Sequence, residues 1–369
     1  MLGTVSLGSV GWVFGAALGA TLVTGPLVRG LAIKLDFFDR PDAGLKPHEK
    51  PIPYLGGLAI YCGWLAGLLT AVATNVFPIN VVLPLLMAGT ILMLVGLVDD
   101  IRHLPPKLRL LVQAGAALPL ALTQVGESAG TTLLSEVGVG VTGIAVTVLV
   151  ALFAAALFAG ATNSTNLIDG LDGLCAGVTA VAAASFVVAF WQATATSFQN
   201  VGMILALATV GGCVGFLFYN FKPASMFMGD SGSLLLGGAL ASMILIASAT
   251  WGWRGLVAGL FFCGVPIMDT SLAIVRRKLN GKPLFIGDRS HFYDQLRDHG
   301  CGVRQTVLIC YAVGAVFGVV GNLCLRLDMV AVIAIAVIVP VVLAVTFVRF
   351  GFLRVDNKAE STATDKAAS

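Results

Sequence analysis

Long uncharged runs alternate with short polar stretches over the whole chain. Runs of 18 or more uncharged residues recur from one end to the other, each long enough to cross a hydrocarbon core of about 30 Å as a helix. The pattern predicts about eleven helical spans, over residues 8–33, 54–75, 80–98, 108–124, 142–160, 174–193, 199–218, 233–250, 254–275, 306–325 and 330–350. Alternating segments of about ten residues, the signature of a membrane β-barrel, are absent. The expected fold is therefore an all-α polytopic integral membrane protein. Residues 1–355 form one membrane domain in this reading. Residues 356–369, polar and rich in Ala, Ser and Thr, read as a disordered cytoplasmic tail.

The polar stretches are Leu35–Pro53, Asp99–Arg109, Asn163–Asp172, Tyr219–Ser233 and Arg276–Arg304. If the first run crosses from outside to inside, alternation puts all of them on the cytoplasmic side. Met1–Val28 carries no charged side chain, and no basic segment precedes the first apolar run. That run reads as a retained span rather than a secretory signal, with the N-terminus outside and the C-terminus in the cytoplasm. The Lys and Arg distribution supports this orientation. Of 22 such residues only Arg254 and Arg326 fall at outward ends, and His48, His103, His291 and His299 all fall inside. Residues 124–141 read as an outward loop.

Composition agrees with the pattern. Charged residues make up 11% of the chain and hydrophobic ones 57%, against about 25% charged in a soluble domain. The 44 glycines suit close packing of membrane helices. The seven cysteines form no C-x-x-C pair and read as small packing residues. No internal repeat is evident.

The chemistry lies in the polar stretches. Asp99-Asp100 ends the third span; adjacent carboxylates repel and make sense beside a cation or a positively charged side chain, while a plain solvated helix end explains the pair alone equally well. Asn163, Asn166, Asp169 and Asp172 recur every third residue, which lines them along one face if the segment is helical. Two amides and two carboxylates offer oxygen ligands for Mg²⁺ and hydrogen bonds for a polar ligand. In Phe227-Met228-Gly229-Asp230-Ser231-Gly232-Ser233, glycines flank the acid just before an apolar run. Backbone N–H groups there suit an anion, and Asp230 a metal that bridges phosphate oxygens, although a simple N-cap turn has the same composition. Asp288-Arg289-Ser290-His291 resembles a phosphate clamp. Lys46 and His48 lie in a basic, proline-stiffened loop. Phosphoryl transfer needs this set of parts, because its catalysis is mostly positioning and charge stabilisation. No P-loop or dinucleotide fingerprint is present.

From Asp39 to about Leu296 these five motifs stand in the order found in the polyprenyl-phosphate N-acetylhexosamine-1-phosphate transferases, and the chain resembles that family. The resemblance implies Mg²⁺-dependent transfer of a sugar-1-phosphate from a UDP-amino sugar to undecaprenyl or another polyprenyl phosphate, with release of UMP. Mn²⁺ is a substitute cation in this expectation, and no nucleic acid is involved. It implies Asp230 and Asn166 as metal ligands, and Asp99 and Asp100 near the lipid phosphate. Asp169, Asp172 and Asn163 would border the nucleotide or metal, His291 and Arg289 would meet the donor's phosphates, and Lys46 and His48 would lie at the rim. One departure is informative: many members have a His-x-His-His arrangement where this chain has His291-Phe292-Tyr293-Asp294. That favours UDP-N-acetylglucosamine over the muramoyl-pentapeptide donor of lipid I synthesis. The resemblance leaves both direct attack by the lipid phosphate and an aspartyl-phosphate intermediate open; the acceptor's second pKa of about 6 favours direct attack, since a strong base is then unnecessary. A transporter is the rival from another class, but transport sites lie near the bilayer midplane, whereas these acids cluster at the inner ends. Faces of small residues would suit a homodimer.

Overall fold

The computed structural model describes residues 7–40, 51–140, 142–193, 197–281 and 291–352. Lys46, His48 and Arg289, and the expected tail, lie outside these residues. The first three helices are α1 (Leu7–Lys34), α2 (Gly56–Ala73) and α3 (Ile79–Arg102). Shorter helices follow: α4 (Pro106–Gly115), α5 (Leu118–Ala121) and α6 (Gln124–Glu136). Four long ones come next, α7 (Ile144–Leu167), α8 (Leu174–Gln192), α9 (Ser197–Asn220) and α10 (Gly229–Phe262). The chain continues through α11 (Gly264–Leu279), α12 (Phe292–Asp298), α13 (Val303–Cys324) and α14 (Met329–Arg349). Among the described residues, nine helices are long and apolar enough to cross a membrane, and ten spans result if one bent helix pair is counted as one.

The molecule departs from the sequence expectation in three places. The expected span 108–124 is instead α4 and α5, bent by 91° into α6. Residues 124–136 are thus helix rather than loop. The Thr123 hydroxyl accepts the Val125 N–H at 3.3 Å, a helix-starting contact. Val125, Ala129 and Leu133, four apart, bury one face of α6 against α7 and α10. The loop 34–53 holds a minimal antiparallel pair, β1 (Phe38–Asp39) and β2 (Ile52–Pro53), and the loop 276–305 holds α12.

The longest helix is a hairpin. A straight 34-residue helix would run about 51 Å, well beyond the hydrocarbon thickness. At Gly252 the backbone turns out of helical geometry, with φ 60° and ψ −136°. A methyl group built at Gly259 would lie 3.0 Å from the Ile244 side chain, residues that a straight helix would hold about 22 Å apart. The second arm therefore folds back on the first. From the end of α6, Glu136 accepts the Trp253 N–H at 3.1 Å, and the Trp253 indole donates to the Leu133 carbonyl at 2.9 Å. These bonds close the turn.

Long-range contacts sort the helix ends onto two faces. On one, Arg29 donates to the Ser225 carbonyl, Tyr54 to that of Asp100, and Arg304 to that of Lys222. On the other, Glu136 meets Trp253 and Arg326 meets Gln192. α10 is the axis: it is 94% buried over its most apolar stretch, whereas α14 is only 11% buried and packs at the edge of the bundle.

The Gly252 conformation is one that essentially only glycine adopts, and a Cβ there would run into the Glu136 carboxylate. Gly252→Ala is expected to cost about 1–3 kcal/mol, read as a lower unfolding midpoint of the detergent-purified protein.

Candidate active site

The C-terminal end of α3 meets the start of α10. No side chain caps α10 locally, since its N-cap residue is Met228. Asp100 supplies the cap from another helix: its carboxylate accepts the N–H of Asp230 at 2.8 Å and that of Ser231 at 3.2 Å. The approach needs Gly96, where any Cβ would strike the Asp230 carbonyl oxygen. Tyr54 donates its hydroxyl to the Asp100 carbonyl at 2.9 Å. Burial, then the charges of Asp100, Asp39 and Asp230, push that phenol up to about 12. The backbone donors that the sequence offers to a bound anion are thus taken by the chain's own carboxylate.

Asp99, one residue earlier on the helix, points elsewhere. One of its oxygens accepts the Leu104 N–H at 2.6 Å, and the other accepts Arg109 of α4 at 2.7 Å. The same guanidinium nitrogen lies 3.3 Å from Asp230. The other Asp230 oxygen accepts the Asn166 amide at 2.7 Å, and that amide also reaches the Ser233 hydroxyl at 3.0 Å. Asn163, one turn back on α7, donates to Gln113 of α4 and to the Ala159 carbonyl, both at 2.7 Å. Four helices, α3, α4, α7 and α10, therefore converge on Asp99, Asp230 and Asn166.

The three-residue stripe does not continue as one face. α7 ends at Leu167, so Asp169 and Asp172 lie in the turn beyond it. Asp169 stays with the cluster: burial, then the charges of Asp230, Asp100 and Asp172, push its carboxyl up to about 8. Asp172 turns to the loop before α10, where it pairs with Lys222 at 3.3 Å and accepts the Ala224 N–H at 3.0 Å. Asn220 takes the Gly173 N–H at 2.9 Å and helps fix that turn.

His291 is buried at the start of α12. Its Nδ1 lies 2.7 Å from Asp269 of α11, whose other oxygen accepts the Phe292 N–H at 2.6 Å. The Tyr293 ring stacks on the imidazole, and its hydroxyl donates to the Leu167 carbonyl at 3.4 Å, next to Asn166 in the chain. His291 is thereby tied to the end of α7.

Sequence reading gave no role to Arg109, Gln113 or Asp269. Arg109 closes a polar stretch already singled out, and opposite charge ten residues from Asp99 was a usable signal. Asp269 sits alone inside the apolar run 254–275, so that run is not free of acids at depth. An ionisable residue there is costly and marks function by default. Nothing in the sequence pairs Gln113 with Asn163.

Among the described residues, no three Asp, Glu, His or Cys side chains form a ready-made cation cage. Mg²⁺ does not require one, since it is commonly held by one or two carboxylates together with substrate phosphates and water. The Asp230 carboxylate offers hard oxygens, and a guanidinium already stands between it and Asp99. Asp230 fits such an ion as it stands; Asn166, whose amide N–H now points at Asp230, fits it through its oxygen once the amide is turned over.

Comparison with known proteins bears on this arrangement. The profile of Glycosyl transferase family 4 matches residues 82–248, which include Asp99, Asp100, Asn166 and Asp230. A Bacillus subtilis protein described as a probable undecaprenyl-phosphate N-acetylglucosaminyl 1-phosphate transferase is 34% identical over 312 residues, covering 83% of this chain and 82% of that protein. The decaprenyl-phosphate N-acetylglucosaminephosphotransferase of Mycobacterium tuberculosis is 34% identical over 320 residues, 80% of this chain and 77% of its own. The phospho-N-acetylmuramoyl-pentapeptide-transferase of Desulforudis audaxviator is 32% identical over 349 residues, 83% of this chain and 95% of its own.

Two outcomes are expected from the geometry. Arg109→Met leaves Asp99 and Asp230 facing each other without a cation and should cost about 1–3 kcal/mol. In a double-mutant cycle with Asp99→Asn the two losses should be non-additive by about 1 kcal/mol, measured by denaturation in detergent. For Asp169, a folded value of about 8 above an unfolded value of about 4 means that the folded state holds the extra proton. In cation-free buffer the parent should lose stability as pH rises between those values. Asp169→Asn should be the more stable protein at pH 8, and the gap should shrink towards pH 5.

Proposed function

The chain belongs to glycosyl transferase family 4, and on that premise we propose that it transfers N-acetylglucosamine-1-phosphate from UDP-N-acetylglucosamine to undecaprenyl phosphate, using Mg²⁺. It is a multi-pass membrane enzyme, a polyprenyl-phosphate sugar-1-phosphate transferase. The donor, the lipid, the metal and the membrane face are the proposed parts. The observation that carries the reading is the convergence of Asp99, Arg109, Asn166 and Asp230 from four helices at one end of the bundle. In this reading the acidic centre favours a cation and stands where a water-soluble donor and a membrane-bound acceptor both arrive.

In this reading the described residues make eleven crossings, one more than helix length and composition alone count. They are the nine long helices, the bent pair, and the second arm of α10 continued by α11. With the N-terminus outside, this puts the ends carrying Asp100, Asn166 and Asp230 together in the cytoplasm, and Glu136 and Trp253 together outside.

An oxygen of the lipid phosphate attacks the donor's β-phosphorus. The bond from that phosphorus to the bridging oxygen breaks, and UMP leaves with the electron pair. The product is a lipid-linked sugar diphosphate. At neutral pH most of the acceptor is already a dianion, with a second pKa of about 6, so Asp99 acts by orienting the acceptor and taking any residual proton. Arg109 is placed to exchange a carboxylate for a phosphate oxygen. Asn166 and Asp230 would hold the Mg²⁺, which when bound supplies positive charge against the diphosphate. Asp100 keeps Asp230 in place rather than reacting. For the isoprenoid chain there is an apolar cavity of ≈ 270 Å³ between α7, α10 and α11, which reaches Ser164 and Thr165, beside Asn166. Two of the similar proteins are named for N-acetylglucosamine transfer, and the single retained His291 supports that donor over the muramoyl pentapeptide.

Membranes containing the chain, given radiolabelled UDP-N-acetylglucosamine and undecaprenyl phosphate, should form an EDTA-sensitive lipid-linked product. UDP-N-acetylmuramoyl-pentapeptide should give none, and the reverse preference would overturn the donor assignment. Asp230→Asn should raise the Mg²⁺ needed for half-maximal rate at least about tenfold. A sugar-free phosphoenzyme isolated with donor alone would refute direct attack.

A further inference from the structure

Asp269 is a buried acid inside an apolar run, 2% exposed, with both carboxylate oxygens committed to residues 291 and 292. A carboxylate within a membrane span is costly. Capping a seven-residue helix such as α12 does not require one, because a serine or an asparagine would serve. The second bond, to His291 Nδ1, is the one that needs explaining. A carboxylate only accepts hydrogen bonds, so Nδ1 carries the proton and Nε2 is left as the free ring nitrogen. The residue is held in two further ways, one at its backbone and one at its ring. Asp294 accepts the His291 backbone N–H at 3.2 Å. Tyr293 stacks on it with the planes 4° apart and the centroids 5.4 Å apart. Through the Tyr293 hydroxyl the assembly is anchored to the carbonyl of Leu167, where α7 delivers Asn166.

We infer that Asp269 is the positioning residue for His291: it fixes the Nδ1–H tautomer and the ring orientation, so that Nε2 faces the diphosphate of the donor. This rests on the transferase reading above. A neutral imidazole held in this way can take a proton from solvent water at Nε2. Once protonated it becomes a donor to a phosphate oxygen, with its positive charge balanced by Asp269. The opposite tautomer would place a hydrogen on Nε2 of the neutral ring and remove the acceptor. A carboxylate has two accepting oxygens for the two donors present. An asparagine has one, and its amide must then face either the Phe292 N–H or Nδ1.

The test uses the full chain in lipid nanodiscs, with Asp269→Asn, Asp269→Glu, His291→Ala and the double variant Asp269→Asn/His291→Ala. Asp269→Asn is expected to lower kcat about 10²-fold while the donor KM stays within about threefold. The double variant should be no slower than His291→Ala alone, as for two groups acting as one. Nitrogen-15 NMR of histidine-labelled protein should show the Nδ1–H form at His291 in the parent and its loss in Asp269→Asn. Asp269→Glu, which keeps two acceptors, should retain that form and more of the rate. It also carries the test if Asp269→Asn does not fold. An Asp269→Asn enzyme within twofold of the parent, additive losses in the double variant, or an Nε2–H tautomer in the parent would each overturn the inference. Failure of the transferase reading looks different: the parent itself would form no lipid-linked product from any UDP-sugar, while the tautomer measurement would still report on Asp269.

Discussion

The arrangement depends on one carboxylate capping a helix that is not its own. Asp100 sits at the end of α3, yet it takes the two N–H groups that open α10. Those donors carry the positive end of the α10 dipole, so an anion there is favourable as well as a hydrogen-bond partner. The contact joins residues 130 positions apart and fixes where Asp230 begins. Successive side chains on a helix point about 100° apart. When Asp100 turns to α10, Asp99 therefore faces Arg109. An adjacent pair of acids serves two purposes because it cannot point in one direction.

Charge follows from that placement. Asp99, Asp100, Asp169 and Asp230 gather within reach of one another, and Arg109 is the cation that the structure shows bridging two of them. The raised value at Asp169 is a consequence: burial and three neighbouring carboxylates oppose its ionisation. A centre with this imbalance favours a cation or the cationic groups that accompany a substrate. The hairpin at Gly252 and the bond from Glu136 to Trp253 hold the far end of α10 at the opposite face. The axial helix is thus fixed at both ends.

Much of this was legible in the sequence because membranes impose strong rules. The long apolar runs gave the helices, and the one-sided basic residues grouped the ends that the structure joins through Tyr54, Asp100 and Arg304. Asn166 and Asp230 were singled out together and do touch. The amphipathic α6 was missed because its buried face, Val125, Gly126, Ala129, Gly130 and Leu133, has a helical period and two glycines, and a loop reading does not look for that period. The stripe from Asn163 to Asp172 broke because the helix ends at Leu167, and terminal positions are the least readable part of any helix. Asp269 was overlooked because a single charge inside an apolar segment was absorbed into the span that contains it, and Arg109 because it closes a polar stretch whose acids drew the reading. Their partners come from other helices, and only tertiary packing brings them together.

An experimental map of the protein in a lipid nanodisc with Mg²⁺ and UMP would test the central geometry most directly. It should show one ion about 2.1 Å from an Asp230 oxygen, with Asn166 beside it and Asp100 still on the N–H groups of residues 230 and 231. An ion bound elsewhere, or Asp100 and Asp230 found at opposite faces of the bilayer, would contradict it.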